Sequence, residues 1–388
     1  MYFSQNIKPN KVQIYIIIFL YSVLPISYIS GSFLINLNFL FIDLFFIFAI
    51  FKYKNFKFSD VKIEIYFITA IFLYILINSI VQYIIYNNQI SLRDEGFIRS
   101  IGLIKYVLFY FASIYFFQIL NNLKINIFNF WSVITFIVIF DVFYERVMGH
   151  NILNIKSSST ERISSFFGDE LIVGYFILAF GFISIINVLP KVNLKNKALS
   201  QIILNFLILL IPFTIFITGE RSNFLKSIFL FFTLLLFFSK YKQGLNIKYF
   251  FVLSTISLLV AFISSDNLRT RYLTTFKEIN KSFKEENKIF VNSKHYYNYK
   301  LGYEIFKENI FFGVSTKKFR SECKTKENLS EKMKSFGCST HPHQTYIDLL
   351  SEHGIFGFLL IFISFLLFIL KRTKIFFETK NYILLKYN

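Results

Sequence analysis

Apolar runs long enough to cross a bilayer recur along the whole chain and constrain its fold more than any other feature. A transmembrane helix needs about 20 consecutive apolar residues. Runs near that length occupy 12–30, 33–51, 63–86, 101–120, 125–143, 171–189, 200–218, 223–239, 248–264 and 355–370. The chain has 55 Phe in 388 residues, without the apolar–polar alternation of a soluble domain. We therefore predict an all-α, polytopic membrane bundle of about 10–11 transmembrane helices.

The distribution of positive charge predicts the orientation of these helices. A net charge of +19 could indicate nucleic-acid binding, but most lysines lie in short connections between apolar runs, where they act as topology signals. Connections rich in lysine alternate along the chain with a second set of connections. We therefore place the lysine-rich set in the cytoplasm. Because topology accounts for this charge, we expect no nucleic-acid partner. The second set faces outward and comprises 31–32, 87–100, 144–170, 219–222 and 265–354.

This topology predicts three parts of the chain. Residues 1–264 hold nine transmembrane helices joined by short loops. Residues 265–354 form one large, partly helical loop outside the membrane, and residues 355–388 form the last confident span and a cytoplasmic tail. We expect a multi-pass protein whose chemistry lies on the outer face, because the polar sequence motifs fall there.

Arginine is concentrated in the short outer connections. The cytoplasmic connections are positive almost entirely through lysine, which serves as a topology signal. Arg162 lies in the stretch 161–170, ERISSFFGDE, and Arg221 lies in 218–222, TGERS. A guanidinium is a rigid fork that matches phosphate oxygens, so the two arginines suit a lipid-linked diphosphate. The alternative is contact with lipid headgroups, or pairing with carboxylates such as Glu145 and Asp169.

The segment 338–357, CSTHPHQTYIDLLSEHGIFG, is the most polar stretch near a predicted span. Pro342 disfavours helix at His341, so His343 is expected near the start of a helix that leads into the last span. A histidine there can take a proton from a hydroxyl. The alternative is a histidine that only caps the helix or hydrogen-bonds at the interface.

The two cysteines of the chain, Cys323 and Cys338, both fall in the large outer loop. Cys338 could ligate zinc together with His341 and His343. An oxidising compartment favours a Cys323–Cys338 disulfide instead, which would restrain the chain just before His341. We predict the disulfide and no metal.

These motifs together resemble the O-antigen ligase and O-antigen polymerase superfamily of bacterial inner-membrane glycosyltransferases. His343-Gln344, followed after nine residues by Gly354-Ile355-Phe356-Gly357, is similar to the signature of that family's large periplasmic loop. Arg221 in Thr-Gly-Glu-Arg-Ser, and Arg162 with Phe166-Phe167-Gly168-Asp169, are similar to its arginine motifs. Phe358, Ser315 and Phe311 depart from the residues common in the family.

The resemblance implies a fold of the GT-C type and a metal-independent, inverting glycosyltransferase without cofactor. The donor would be a glycan on undecaprenyl diphosphate, and the acceptor a sugar of lipid A–core or of a second lipid-linked repeat, among membrane lipids at the periplasmic face of the inner membrane. The implied base is His343, supported by His341, Gln344 or Glu352. The implied diphosphate-binding residues are Arg162, Arg221, Arg269 and Arg271. A transporter or flippase of lipid-linked glycans, without bond chemistry, is the alternative function.

Overall fold

We analysed a computed structural model of the chain. The structure describes residues 10–53, 62–85, 94–120, 123–159, 161–188, 197–239, 265–274, 294–326, 329–339 and 341–387, with scattered residues of 252–263. These residues contain helices and no strand, so the predicted helical membrane fold is confirmed.

The helices are numbered here in chain order. They are α1 Lys11–Ser22, α2 Leu24–Ile29, α3 Ser32–Tyr53, α4 Lys62–Ile85, α5 Asp94–Gly102, α6 Ile104–Leu120, α7 Lys124–Met148, α8 Val173–Phe176, α9 Phe182–Val188, α10 Lys197–Thr218, α11 Arg221–Ser239, α12 Lys294–Glu308, α13 Phe319–Thr325, α14 Glu331–Gly337 and α15 Thr345–Tyr387. A π-helical turn, Ile177–Gly181, joins α8 to α9. A further helical segment covers 266–274.

Six helices of the described residues are long and apolar enough to cross a membrane, and each corresponds to a predicted span. They are Lys11–Ile29, Ser32–Lys52, Ile63–Ile84, Gly96–Leu120, Lys124–Met148 and Thr345–Lys374. Shorter apolar helices at Val173–Val188 and Asn205–Thr218 correspond to two more, and α11 covers the predicted 223–239. Most of the predicted span 248–264 lies outside the described residues, so the total of 10–11 stays a prediction.

The chain forms two compact units. The division predicted at residues 264 and 354 concerns membrane topology, and it stays a prediction. Unit 1 comprises Met1–Phe45 and Ile114–Asn280, and unit 2 comprises Phe46–Ser113 and Lys281–Asn388. The core of unit 1 is formed by apolar side chains of α7 to α11, such as Val142, Phe176 and Ile215, which are fully buried. Burying one such side chain contributes about 1.5–3 kcal/mol to the stability of the fold.

A break in α15 organises unit 2. Gly354 has a left-handed φ of 64° inside the helix, and the segment 310–315 crosses the chain at this break. Ile355 N–H donates to Ile310 O (2.8 Å), and Val314 N–H donates to Ser351 O (3.0 Å). The two backbones approach so closely that Gly354 lies directly against Phe311. The glycine is therefore needed both for its conformation and for the space it leaves.

One face of α4 fixes this crossing from the membrane side. Its polar side chains recur four residues apart, so they share one face of the helix. Three of them donate to backbone carbonyls at the crossing: Tyr74 Oη to His353 O (2.6 Å), Asn78 Nδ2 to Phe312 O (2.8 Å) and Gln82 Nε2 to Gly313 O (3.0 Å). These hydrogen bonds are partly shielded from water and each contributes to stability, so α4 holds the break and the crossing segment together.

We expect Gly354→Ala to destabilise the protein more than Gly149→Ala. Both positions are left-handed, but a Cβ at 354 would stand 2.5 Å from Phe312 N, whereas a Cβ at 149 has open space around it. The control should lose about 1–2 kcal/mol from backbone strain alone. Thermal unfolding of the two variants in detergent measures the difference, and equal losses would show that the crossing tolerates a side chain.

Candidate functional site

The short turn between α10 and α11 is the centre of an arginine cluster in unit 1. Helix α10 ends at Thr218, Gly219 follows with φ 77°, and α11 begins at Arg221. A Cβ on Gly219 would lie 2.7 Å from Glu161 O, 3.3 Å from Arg271 Cδ and 3.5 Å from Arg162 Cγ. The absence of a side chain at Gly219 thus lets both arginines pack on the same turn.

Arg162 and Arg271 reach this turn from different loops. Ile163 N–H donates to Thr218 O (3.1 Å), which pairs the Arg162 loop with the end of α10. Arg271 Nε donates to Gly219 O (2.8 Å), and its Nη1 donates to Glu161 Oε2 (2.7 Å). The Arg162 guanidinium donates to Leu171 O. Backbone and side-chain partners therefore orient both forks.

Two carboxylates of α7 hold the loop that carries Arg162. Asp141 accepts from Ile152 N–H (2.7 Å) and from Ser165 Oγ (2.5 Å), and Glu145 accepts from Ser165 N–H (2.7 Å). Glu145 also accepts from a second loop hydroxyl, that of Ser157 (2.5 Å). Glu145 is thus bonded to this loop, and its charge also acts on the neighbouring Arg146.

Glu220 is a buried member of the cluster that the sequence analysis did not single out. It accepts from Gly174 N–H (2.7 Å) and Asn223 Nδ2 (2.5 Å), and Arg162 Nη2 lies 3.9 Å from its Oε1. A Cβ on Gly174 would overlap the Glu220 carboxylate at 2.8 Å. Glu220 thus links the start of α8, the start of α11 and Arg162. Its position between Gly219 and Arg221 is the sequence feature that could have identified Glu220.

Burial and mutual charge shape the electrostatics of the cluster. Burial lowers the pKa of Arg162; Glu220 opposes this shift, and the positive charges of Arg271 and Arg221 add to it. Burial raises the pKa of Glu220, although Gly174, Asn223 and Arg162 act against that shift. Like charges held this close favour an added anion, because an anion relieves their repulsion.

Tyr272 anchors the helical segment 266–274 to the same turn. Its ring stacks on Phe216 with centroids 4.6 Å apart, and its hydroxyl donates to Phe216 O (3.3 Å). Burial raises the pKa of Tyr272, and the charges of Arg271, Arg221 and Arg146 act in the opposite direction. The hydroxyl is therefore neutral and fixes the register that directs Arg271 toward Gly219.

The structure separates the four predicted arginines. Arg162, Arg221 and Arg271 belong to one electrostatic cluster, whereas Arg269 pairs with the exposed Asp266 (2.5 Å), and 48% of its own side-chain surface is exposed. Arg146, at the end of α7, adds a fourth guanidinium by donating to Ile217 O. It stands in the 144–170 connection, but its isolated sequence position gave no sign of this contact.

Arg162 and Arg271 are partly accessible to an anion from outside the protein. Each of these guanidinium groups is a planar fork of five N–H donors, a shape that matches phosphate oxygens. Their side chains retain 26% and 18% of their surface exposed. The adjacent N-terminal turn of α11 adds backbone N–H groups and the positive end of the helix dipole. The arrangement suits the oxygens of a phosphate or diphosphate.

His343 lies in unit 2, immediately before α15. Gln344 Oε1 accepts from Ile347 N–H (2.7 Å), so Gln344 caps the N-terminus of the helix that begins at Thr345. His343 itself has a left-handed φ of 58° and an exposed side chain. A non-glycine residue in that conformation is strained, which is common where a side chain is directed for function.

The segment before His343 is held by packing and by a disulfide. Cys323 and Cys338 are joined, with Cα atoms 5.5 Å apart, which is the pairing favoured by the sequence. Pro342 is buried against Gly302 of α12, where a Cβ would stand 3.1 Å from the proline Cγ. The disulfide occupies the thiol that the alternative zinc site required. No group of three potential metal ligands occurs among the described residues.

The three residues predicted to support His343 lie in different surroundings. The His341 and His343 rings lie together, with centroids 4.3 Å apart. Gln344 acts through the helix cap, as described above. Glu352 is 5% exposed and is held by the backbone N–H groups of Lys317 and Phe319, so it fixes the segment 315–319 rather than the imidazole. Lys317 has a left-handed φ of 59°, which this carboxylate stabilises.

Comparison with known protein families supports the resemblance over part of the chain. Residues 206–362 match the family model described as O-Antigen ligase. A search of curated proteins gave no match. The matched segment begins in α10 and ends in α15, so it contains the α10–α11 turn with Arg221, the segment 266–274 and His343, whereas Arg162 precedes it. The resemblance stated from the motifs is confirmed.

Proposed function

We propose that this member of the O-antigen ligase and polymerase superfamily transfers a glycan from undecaprenyl diphosphate to an acceptor sugar hydroxyl. The observation that supports this most strongly is the convergence of Arg162 and Arg271 on Gly219, beside the first turn of α11. Two oriented guanidinium forks at a helix N-terminus are suited to a diphosphate. A diphosphate on a lipid is the leaving group that such an enzyme needs.

In the proposed reaction the acceptor oxygen attacks the anomeric carbon of the donor and a new glycosidic bond forms. His343 takes the proton of the acceptor hydroxyl. The bond between the anomeric carbon and the phosphate oxygen breaks, and its electron pair leaves with the lipid diphosphate. Arg162, Arg221 and Arg271 stabilise the charge that develops there. Attack opposite the leaving group inverts the anomeric centre, and neither a metal nor a nucleotide sugar takes part.

The acceptor is either a sugar of lipid A–core, which makes the protein a ligase, or the sugar of a second lipid-linked repeat, which makes it a polymerase. We place the reaction at the periplasmic face of the inner membrane. Lysine-rich connections alternate with arginine-bearing ones, and this alternation supports the proposed orientation. The arginine cluster and His343 both belong to the connections that face outward.

Complementation tests the proposal. The protein is expressed in one strain that lacks its O-antigen ligase and in another that lacks its polymerase, and lipopolysaccharide is examined by gel electrophoresis. We expect rescue of one of the two phenotypes, and purified protein should consume a lipid-linked donor and release lipid diphosphate. Movement of the donor across vesicles without release of lipid diphosphate would contradict the proposal and favour the transporter.

A further inference from the structure

The turn that follows α7 presents an apolar surface. It covers residues 151–155, NILNI, and is called the apolar turn here. Its side chains Ile152, Leu153 and Ile155 are all exposed, and Leu153 is the most exposed of them at 64%. Loop tips that face water usually carry small or polar residues. A group of exposed apolar side chains indicates instead that this surface contacts a membrane or another molecule.

The apolar turn folds back along α7. Ile152 N–H donates to Asp141 Oδ1 (2.7 Å), and Asp141 precedes Met148, the last residue of α7, by seven positions. At 1.5 Å per residue, this contact lies roughly 10 Å back from the end of the helix. Asn151 Nδ2 donates to Ser165 O (2.8 Å), and Ser165 Oγ bonds the same Asp141 carboxylate. The turn therefore lies beside the helix and not beyond its end.

The length of α7 places this contact inside the hydrocarbon layer. Helix α7 has 25 residues and is apolar enough to cross a bilayer. It is about 37 Å long, whereas the hydrocarbon layer is about 30 Å thick. With Lys124 at the opposite border, only about 7 Å of the helix projects at the Met148 end. The level of Asp141 then lies within the layer, and tilt of the helix shortens the projecting part further.

The backbone of the apolar turn meets the requirement that hydrocarbon imposes. Backbone polar groups at this depth need partners within the protein, because lipid chains offer none. Asn151 N–H donates to Ile155 O (2.9 Å), and Asn154 N–H donates to Asn151 O (2.9 Å). Ile155 N–H donates to Asn151 Oδ1 (2.8 Å), and the Asn151 side chain is fully buried. The turn thus keeps these polar groups inside and directs its apolar side chains outward.

We propose that the apolar turn is inserted into the bilayer leaflet at the Met148 end of α7, where its side chains contact lipid chains. The connection 144–170 therefore contains a re-entrant turn and is not wholly in water. Lys156, which follows the turn and is exposed, reaches the headgroups with its ammonium group. The same connection carries Arg162, so insertion of the turn holds this arginine at a defined depth. The partner is a lipid surface, because a soluble protein cannot reach side chains at this level.

Spin labelling in proteoliposomes tests this contact. Cys323 and Cys338 are joined in a disulfide, so a nitroxide attaches only to an added cysteine. Leu153→Cys carries the label in the turn, and Ser158→Cys carries it at an exposed position of the same connection. Ile137→Cys, exposed on α7, is the reference for lipid. The measurement is the ratio of nitroxide collisions with oxygen, which dissolves in lipid, to collisions with a water-soluble nickel chelate.

We expect the oxygen-to-nickel ratio at position 153 to be close to that at position 137 and well above that at position 158. A ratio at position 153 equal to that at position 158 would place the turn in water and overturn the proposal. Low access of both reagents to position 153 would also overturn it, because another protein or a second copy of this chain would then cover the turn.

A charged variant tests whether the side-chain contacts anchor the turn. With the label at Ile155→Cys, Leu153→Asp should lower the oxygen-to-nickel ratio to that of position 158, because a carboxylate is costly in hydrocarbon. Ser158→Asp is the matched control, since it adds the same charge to the same connection outside the turn, and the ratio should not change. An unchanged ratio in Leu153→Asp would show that lipid contacts do not anchor the turn.

Lipid contact at the apolar turn is independent of the proposed reaction, because the nitroxide reports on a protein that need not turn over. A lipid-exposed turn in a protein without transfer activity would support the anchor and remove the reaction. Transfer by a protein whose turn is in water would support the reaction and remove the anchor. His343→Ala should leave the ratio at position 153 unchanged.

Discussion

Replacing His343 with alanine is expected to lower glycan transfer by about 10²–10⁴-fold, the usual contribution of a general base. The imidazole is exposed on a strained residue just before a capped helix, so its removal leaves the cap and the disulfide in place. The measurement is release of lipid diphosphate by purified protein, with normal amounts of the variant in the membrane.

His341→Ala is the matched control, because its ring lies 4.3 Å from that of His343. We expect it to retain most of the activity. The pH–rate profile supplies an independent readout: a base acts only in its neutral form, so transfer should decline on acidification. This decline should be absent from the residual activity of His343→Ala. Full activity of that variant, or greater loss in His341→Ala, would assign the base elsewhere.

Arg271→Lys is expected to lower transfer by on the order of 10²–10³-fold, the effect of removing one oriented donor in an electrostatic site. Lysine keeps the charge but cannot donate simultaneously to Gly219 O, to Glu161 and to an anion as the guanidinium fork can. Binding of undecaprenyl diphosphate should weaken together with turnover, because the arginine is proposed to hold the leaving group.

Arg269→Lys is a close control, two residues away on the same helical segment. Its guanidinium pairs with the exposed Asp266, and an exposed pair contributes about 0–1 kcal/mol. We expect near-normal transfer and stability. A protein in which Arg269→Lys is inactive and Arg271→Lys is active would reverse the assignment made from the cluster.

Local sequence patterns were sufficient for the membrane fold. Each of the six long apolar helices matches a predicted span, because a bilayer requires a continuous run of apolar residues and that requirement is written along a single segment. The start of α15 just after His343 likewise follows from short-range chemistry, because Pro342 disfavours helix at His341. The sequence also identified His343 and the arginine motifs as candidates through their residue types.

The choice among those residues needed contacts that join distant parts of the chain. Arg269 and Arg271 are equivalent by composition, and the bond from Arg271 to Gly219, 52 residues away, distinguishes them. The role of Glu220 depends on Gly174, 46 residues away.

By itself, the sequence determined the helical membrane class, the principal spans and a short set of candidate residues. The tertiary structure alone decided which arginines share one turn, how α4 fixes the crossing at Gly354 and how Glu220 links the start of α8 to Arg162. The physical reason is that helix formation in a bilayer responds to neighbouring residues, whereas side-chain convergence depends on the packing of separate helices.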